Sequence, residues 1–382
     1  VESLRAGQYR NQLHGEMAYK AFHPAPLPPD PPIVVDTEML FLLGKANRLL
    51  GQLSGAIKQI PDIDLFVAMY VRKEALLSSQ IEGTQATLDD ILDPDIDSNT
   101  NQDIGEVLNY IKAMQLAQER LNDLPLCNRL LKEMHLVLME GLRGEEQSPG
   151  EFRRSQNWIG PAGGSLKEAV FIPPPKDVME IAMSDLERFM HEDDGLDPLL
   201  KIGLIHYQFE TIHPFLDGNG RLGRMLISLW MTLQDLLPEP ILYISYYLKR
   251  NRAEYYDRLM DVRNKGHFEQ WLMFFLRAII ASAEDAYESV VAIHQIRQDS
   301  LAIIEGTQGR KKTLSRLLRY LEKNPIVEIP RTAKDLDLSY NTVADAINQL
   351  VELEILRQTN TNKRNRRYAY SSYLAVLRKE TI

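Results

Sequence analysis

Residues 211–224 read TIHPFLDGNGRLGR, a polar, glycine-rich interruption between two Leu-rich runs of high helix propensity. His213 precedes Pro214, and a residue before proline is kept out of the α region, so a helix arriving from the N-terminal side ends near Ile212. Gly218 and Gly220 allow a sharp turn and a close backbone approach to a ligand. A second helix is expected to begin at Arg221. Its unpaired N–H groups and the positive end of its dipole then face the loop, which is the makings of an anion site suited to phosphate. A helix, an anion loop and a second helix therefore form the centre of a mainly α-helical fold.

The side chains around that loop supply matching chemistry. Arg221 and Arg224 are three apart and can address one anion from the same helical face. Asp217 offers a hard oxygen for Mg²⁺ beside the phosphate position. His213 can act as general base on an incoming hydroxyl. A base, a metal ligand, an anion cradle and two arginines describe phosphoryl or nucleotidyl transfer.

Taken in order, His-Pro-Phe-x-Asp-Gly-Asn-Gly-Arg-x-x-Arg resembles the signature of the Fic family without departure from the pattern. The resemblance extends over roughly residues 35–290, through YVRKEALLSSQIEGTQATLDDIL ahead of the core and FIPPPKDV, similar to the family's flap. It implies a protein adenylyltransferase that moves AMP from ATP to a Ser, Thr or Tyr hydroxyl of a protein, itself included, with ATP and Mg²⁺ as cofactors. By the same resemblance His213 deprotonates the target and Asp217 holds the metal. Gly218, Asn219 and Gly220 seat the α-phosphate, and Arg221 and Arg224 reach the outer phosphates. Phe215 is expected to anchor the loop in the core. The flap around Phe171, Ile172 and Pro173 is expected to hold the target's backbone as an edge strand does. Tyr255 and Tyr256 of EYYDRL, with Asn264, fall where the family contacts adenine.

Far upstream, Ser78 and Glu82 in SSQIEG are four apart and share a helical face if their helix runs to Gly83. Glutamate at a helix C-terminus meets the negative dipole end, so a cationic partner would explain it. The pattern Ser-x-x-x-Glu-Gly resembles the inhibitory motif of Fic proteins that carry their brake N-terminally. That resemblance implies pairing of Glu82 with Arg224, which blocks seating of the γ-phosphate. The same glutamate assists AMP removal in some members, so a mainly de-AMPylating enzyme is one alternative. A DNA-binding regulator whose core only senses nucleotide is another.

The rest of the chain frames this core. Its 382 residues suffice for two or three domains. One cysteine, Cys127, excludes a disulfide framework and a cysteine-based zinc site and suits a reducing, cytoplasmic setting. No apolar run approaches about 18 residues, so no membrane span is expected. No Walker-type phosphate loop and no HExxH is present. His206 is expected to be a hydrogen-bonded core residue, and Trp230, Trp271, Phe274 and Phe275 to be core packing.

Six prolines in HPAPLPPDPPI, residues 23–33, read as an extended arm. The Gly- and Pro-rich segment from SPGEF to KDV reads as a hairpin-like flap with β-prone pieces around Trp158 and Phe171. From Arg310 onward fifteen Lys and Arg face eight Asp and Glu, while the chain as a whole carries −9. Helix, turn, helix and a basic hairpin there read as a winged helix-turn-helix. Its second helix, YNTVADAINQLVELE, has no Lys or Arg and offers Asn341, Asn348 and Gln349 for base contacts. The basic residues Lys363, Arg364, Arg366 and Arg367 collect in the wing, where they suit phosphate contacts of low specificity. DNA and a docking protein are the competing partners, and a homodimer is the expected assembly. The expected divisions are a proline-rich arm at 1–35, an N-terminal helical region with the inhibitory helix at 36–110, the Fic core at 111–305 and the winged domain at 310–382.

Overall fold

The structure is a computed structural model that describes residues 5–15, 18–58, 63–94, 101–141, 148–161, 163–360 and 366–379. A hairpin of β1 (Gly7–Gln12) and β2 (Tyr19–Pro24) precedes α1 (Thr37–Ile57), α2 (Ile63–Ile81), α3 (Leu88–Ile91), α4 (Gln102–Arg120) and α5 (Asn128–Leu138). After a 3-10 turn at Leu166–Glu168 come α6 (Lys176–His191), α7 (Pro198–Ile212), α8 (Asn219–Leu233), α9 (Ser245–Arg250), α10 (Arg252–Lys265) and α11 (Phe268–Glu305). The last stretch holds α12 (Lys311–Lys323), β3 (Ile326–Glu328), α13 (Ile329–Asp335), α14 (Tyr340–Glu352), β4 (Arg357–Gln358), β5 (Arg367–Ala369) and α15 (Ser371–Arg378). The fold is mainly α, as the sequence predicts. Among the described residues no helix is long and apolar enough to cross a membrane.

Helix α7 sits at the centre because it has no polar stripe: every residue from Leu199 to Ile212 is buried. Pro198 opens it, where a missing N–H costs nothing, and the Asp197 side chain caps Leu199 N. α8 and α11 pack against it. Trp271 on α11 donates its indole N–H to the Gly203 carbonyl at 2.8 Å, and a Cβ on Gly203 would stand only 2.8 Å from Leu272. The absent side chain is what lets these two helices approach. His206 meets the expectation of a satisfied core histidine: Nδ1 lies 3.0 Å from the Gly223 carbonyl and Nε2 2.9 Å from the Tyr255 hydroxyl.

Two features depart from the sequence reading. Helix α8 begins at Asn219 rather than Arg221, because Gly218 takes a left-handed conformation (φ 75°) as its N-cap. The segment ahead of the prolines is a paired hairpin, with Tyr9 opposite Phe22. It docks through Arg5, which forms a two-pronged ion pair with Glu269 at 2.8 and 2.9 Å and also donates to the Pro31 and Pro32 carbonyls. Tyr9 and Phe22 add an aromatic edge contact, and Phe22 continues onto Phe171 of the flap. Nothing in residues 5–24 shows the alternation that would announce two strands. The pairing is set by contacts hundreds of residues away.

The C-terminal elements form an antiparallel sheet in the order β3-β5-β4, flanked by α12 to α15. Three of their basic residues meet acidic ones of the preceding part of the chain. Arg367 pairs with Asp93 at 2.7 Å and with Glu328 at 2.8 Å, Arg378 with Asp89 at 2.7 Å, and Lys379 with Asp285 at 3.0 Å. Arg367, expected in the wing's phosphate-contacting set, is thus engaged within the chain. Arg366 is exposed, and Lys363 and Arg364 lie outside the described residues.

Candidate active site

The break after α7 is sharper than a proline-preceding residue requires. His213 adopts φ 50° and ψ 62°, a left-handed geometry that costs a non-glycine residue roughly 1–3 kcal/mol and persists only where surroundings hold it. They do so here. Arg153, itself 1% exposed, donates to the His213 carbonyl at 3.0 Å and to the Pro174 carbonyl at 2.5 Å, tying the motif to the flap. Asn157 donates to the carbonyls of His213 (3.1 Å) and Phe215 (2.8 Å). Phe215 is fully buried and stacks on His135 with ring centroids 3.8 Å apart.

His135 also fixes the next step of the loop. Its Nδ1 accepts from Gly150 N at 2.9 Å, which leaves Nε2 to donate to the Asp217 carbonyl at 3.0 Å. Burial pushes this imidazole down to about 4, so it stays neutral in that tautomer. Sequence reasoning did not select His135, Arg153 or Asn157. Each is a polar residue whose role is to hold another residue's backbone, and only the three-dimensional pairing reveals it. Asn219 behaves likewise: its amide accepts from Phe215 N and donates to Phe215 O at 2.9 and 2.8 Å, so its side chain is spent on the loop.

The cradle lies at the first turn of α8. Asp217 Oδ1 accepts from Gly218 N at 2.6 Å, and about half of its side chain is exposed. Arg221 is 3% exposed, yet its Nε and one terminal nitrogen have no hydrogen-bond partner among the described residues. Glu106 stands 3.6 Å from this guanidinium and Asp217 3.8 Å. A buried cation with orphaned donors, aimed beside a helix N-terminus, fits an anionic ligand. Asp217 suits a hard divalent cation as a single carboxylate donor. Among the described residues no cluster of three or more His, Cys, Asp or Glu side chains could hold one, so phosphate oxygens and water would complete the shell.

Arg224, 1% exposed, is already occupied. Its Nε donates to Ser78 Oγ at 2.8 Å, and one terminal nitrogen donates to the Ser78 carbonyl at 2.9 Å and to Glu82 Oε1 at 2.6 Å. Helix α2 ends at Ile81, two residues short of Gly83, and both Ser78 and Glu82 still reach the arginine. Burial pushes the Glu82 carboxyl up, but Arg224 outweighs it and holds that carboxyl below the usual range. A Cβ on Gly220 would collide with Glu82 Oε1 and come within 2.9 Å of Arg224. The Glu82 carboxylate therefore lies over the first turn of α8, in the position the cradle offers an anion.

His213 keeps 18% of its side chain exposed. Burial first, then the nearby guanidiniums of Arg263 and Arg153, lower its imidazole to about 4, so it is unprotonated at neutral pH. The remaining sequence candidates are less uniform. Tyr255 is 1% exposed with its hydroxyl on His206, which makes it a wall of the core, whereas Tyr256 is at the surface. Asn264 accepts from the Tyr9 hydroxyl at 3.3 Å. In the flap, Ile159 and Phe171 form an isolated antiparallel bridge. The Arg263 guanidinium covers the Phe171 ring at 3.8 Å, and the Ile172 and Pro173 carbonyls accept from Phe22 N and Gln156, each at 2.9 Å. Part of the flap's backbone edge is thus taken up by the N-terminal hairpin.

Residues 40–119 match the model of the Fic/DOC family N-terminal region, and residues 125–231 that of the Fic/DOC family. A protein adenylyltransferase Fic of Culex quinquefasciatus is 33% identical over 127 residues, 33% of this chain and 22% of the relative. One of Drosophila mojavensis is 28% identical over 176 residues, 44% of this chain and 31% of the relative. The chain thus spans less than a third of the length of these curated relatives. A solved Fic family protein from Desulfovibrio desulfuricans G20 superposes with a TM-score of 0.56 at 22% identity, covering 88% of this chain and 97% of that one. This last likeness is one of fold.

Proposed function

We propose that this chain, a member of the Fic/DOC family over residues 40–231, transfers AMP from ATP to a hydroxyl of a protein and is restrained by Glu82. The observation that carries the reading is the Glu82 carboxylate lying over Gly220 and bound to Arg224. A carboxylate already seated there, on a buried arginine, supports a site built for phosphate. When Glu82 withdraws, Arg224 and Arg221 hold the outer phosphates, and the first-turn N–H groups of α8 face the α-phosphate. Asp217 would hold Mg²⁺, which supplies charge neutralisation on the phosphates.

The target's oxygen then bonds to the α-phosphorus while the bridge to the β-phosphate breaks and pyrophosphate leaves. The hydroxyl proton passes to Nε2 of His213, a neutral base held by Arg153 and Asn157. The flap around Phe171–Pro173 supports an extended target on the backbone groups that the hairpin leaves open. Tyr256 and Asn264 flank the base position, and Tyr255 acts behind them as packing. For residues 310–382 we adopt the winged-helix reading. With Arg367 paired to Asp93 and Glu328, any phosphate contact falls to the remaining basic residues of the wing.

The test of the reaction is isotopic. Incubated with Mg²⁺, the Glu82→Gly chain should become labelled by α-labelled ATP and remain unlabelled by γ-labelled ATP. Label from the γ position would instead mean phosphoryl transfer.

The brake also carries a pH expectation. A carboxyl held below its ordinary value of 4.5 keeps its ion pair at every pH above that lowered value and loses it only as pH falls through it. The ratio of Glu82→Gly activity to wild-type activity should accordingly stay constant between about pH 8 and pH 5. A ratio that collapses toward one near pH 6 would show that the carboxylate is not so held.

A further inference from the structure

Glu210 is a buried carboxylate that the mechanism above leaves without a task. It sits on α7 one turn before His213, is 6% exposed, and its Oε1 has no hydrogen-bond partner among the described residues. Its Oε2 stands 4.0 Å from His213 Nδ1, which is likewise buried and lacks a partner among the described residues. The Glu210 carbonyl lies on the same side, where it favours the protonated imidazole, and it also receives a hydrogen bond from Arg263 at 3.2 Å. Glu210 Oε2 and His213 Nδ1, groups of complementary chemistry, thus face each other just beyond hydrogen-bond distance, while the unpartnered Oε1 lies beside Gly223. Unsatisfied buried polar atoms are rare and call for an explanation.

The need for such a partner follows from the surroundings. When Nε2 takes the target's proton, an imidazolium forms in a pocket where burial and two guanidiniums oppose positive charge. A carboxylate at Nδ1 offsets that cost and selects the tautomer with the proton on Nδ1, leaving the Nε2 lone pair free. We propose that Glu210 is a positioning residue that orients His213 through Nδ1 and stabilises its protonated form during transfer. This rests on His213 being the base.

The ionisation of Glu210 is tied to the brake. Burial pushes its carboxyl up to about 7, Arg224 draws it down, Glu82 pushes it up and Arg263 draws it down. Glu82 and Glu210 thus both feel the Arg224 charge, which the outer phosphates take when Glu82 withdraws. Gly223 makes room for this carboxylate, since a Cβ there would lie 2.6 Å from Glu210 Oε1.

The experiment uses the full chain carrying Glu82→Gly, with Glu210→Gln and His213→Ala introduced separately. The isosteric Glu210→Gln should lower kcat at least about tenfold, yet by less than the 10²–10⁴ expected for loss of the base itself. KM for ATP and the thermal midpoint should be unchanged, because Gln keeps the volume and removes a buried charge. ¹⁵N-histidine spectra of the parent should show neutral His213 protonated on Nδ1, a readout independent of any variant's folding. The proposal is overturned if kcat of Glu210→Gln stays within about twofold of the parent while His213→Ala is inactive. It is equally overturned if the loss appears in KM or in stability instead of kcat, or if the proton resides on Nε2. Full activity of His213→Ala would instead sink the base reading on which the proposal rests.

Discussion

His213→Ala, made in the Glu82→Gly chain, should abolish AMP transfer while leaving ATP affinity nearly unchanged. The imidazole touches the incoming hydroxyl, whereas the phosphates are held by the α8 N-terminus, Arg221 and Arg224. Loss of a general base costs on the order of 10² to 10⁴ in rate. The variant should fold, because the His213 side chain makes no hydrogen bond through Nδ1 among the described residues and the loop is held through the His213 carbonyl. Alanine tolerates φ 50° less readily than histidine, so a modest loss in thermal midpoint is expected alongside. Label incorporation and ATP binding measured on the same preparation separate the two effects. Transfer at the parent's rate by the folded variant would remove His213 from the mechanism.

Glu82→Gly should raise labelling of the chain and of its targets by at least about tenfold. The ion pair removed is a short one with a fully buried partner, and each 1.4 kcal/mol of competition withdrawn is worth a factor of ten in phosphate seating. Arg224→Ala in the same chain should cancel the gain, because the freed guanidinium is what the phosphate receives. A rise that survives loss of Arg224 would mean that Glu82 acts by another route. Glu82→Gly leaves the Arg224 bonds to Ser78 in place, whereas Arg224→Ala removes those to the Ser78 hydroxyl and carbonyl, so the doubly changed protein should melt lower than the Glu82→Gly chain.

The sequence made the anion loop legible because the signals there are local. Pro214 ends α7, Gly218 reverses the chain, and the arginines follow at helical spacing, all within a dozen residues. The helical fold was legible for a similar reason, since long apolar periodicities announce themselves. What the sequence hides is which polar side chains are consumed by the backbone. Asn219 lies inside the motif, yet its amide serves Phe215 rather than a ligand. Tyr255 lies in the region assigned to adenine, yet its hydroxyl belongs to His206. Arg153 and His135 look like ordinary surface and helix residues until the fold brings 60 and 82 positions of separation to contact. The N-terminal hairpin is the extreme case, for Arg5 finds Glu269 across 264 residues. Arg367 shows the same limit for charge patterning: a basic wing residue by composition, it is neutralised by Asp93 and Glu328.

Glu82 and Ser78 occupy an intermediate place. Their four-residue spacing suggested a shared face and a missing cation, and Arg224 lies there, 142 residues from the glutamate. The spacing could not reveal that the carboxylate also overlies Gly220, which is what turns a salt bridge into competition for an anion site.

The most direct test of that claim is a crystal structure of the Glu82→Gly chain with Mg²⁺ and a non-hydrolysable ATP analogue. The account predicts an outer-phosphate oxygen within hydrogen-bond distance of the Arg224 guanidinium, lying over Gly220 in the space vacated by the Glu82 carboxylate. Phosphates bound elsewhere, with that space filled only by solvent, would contradict it.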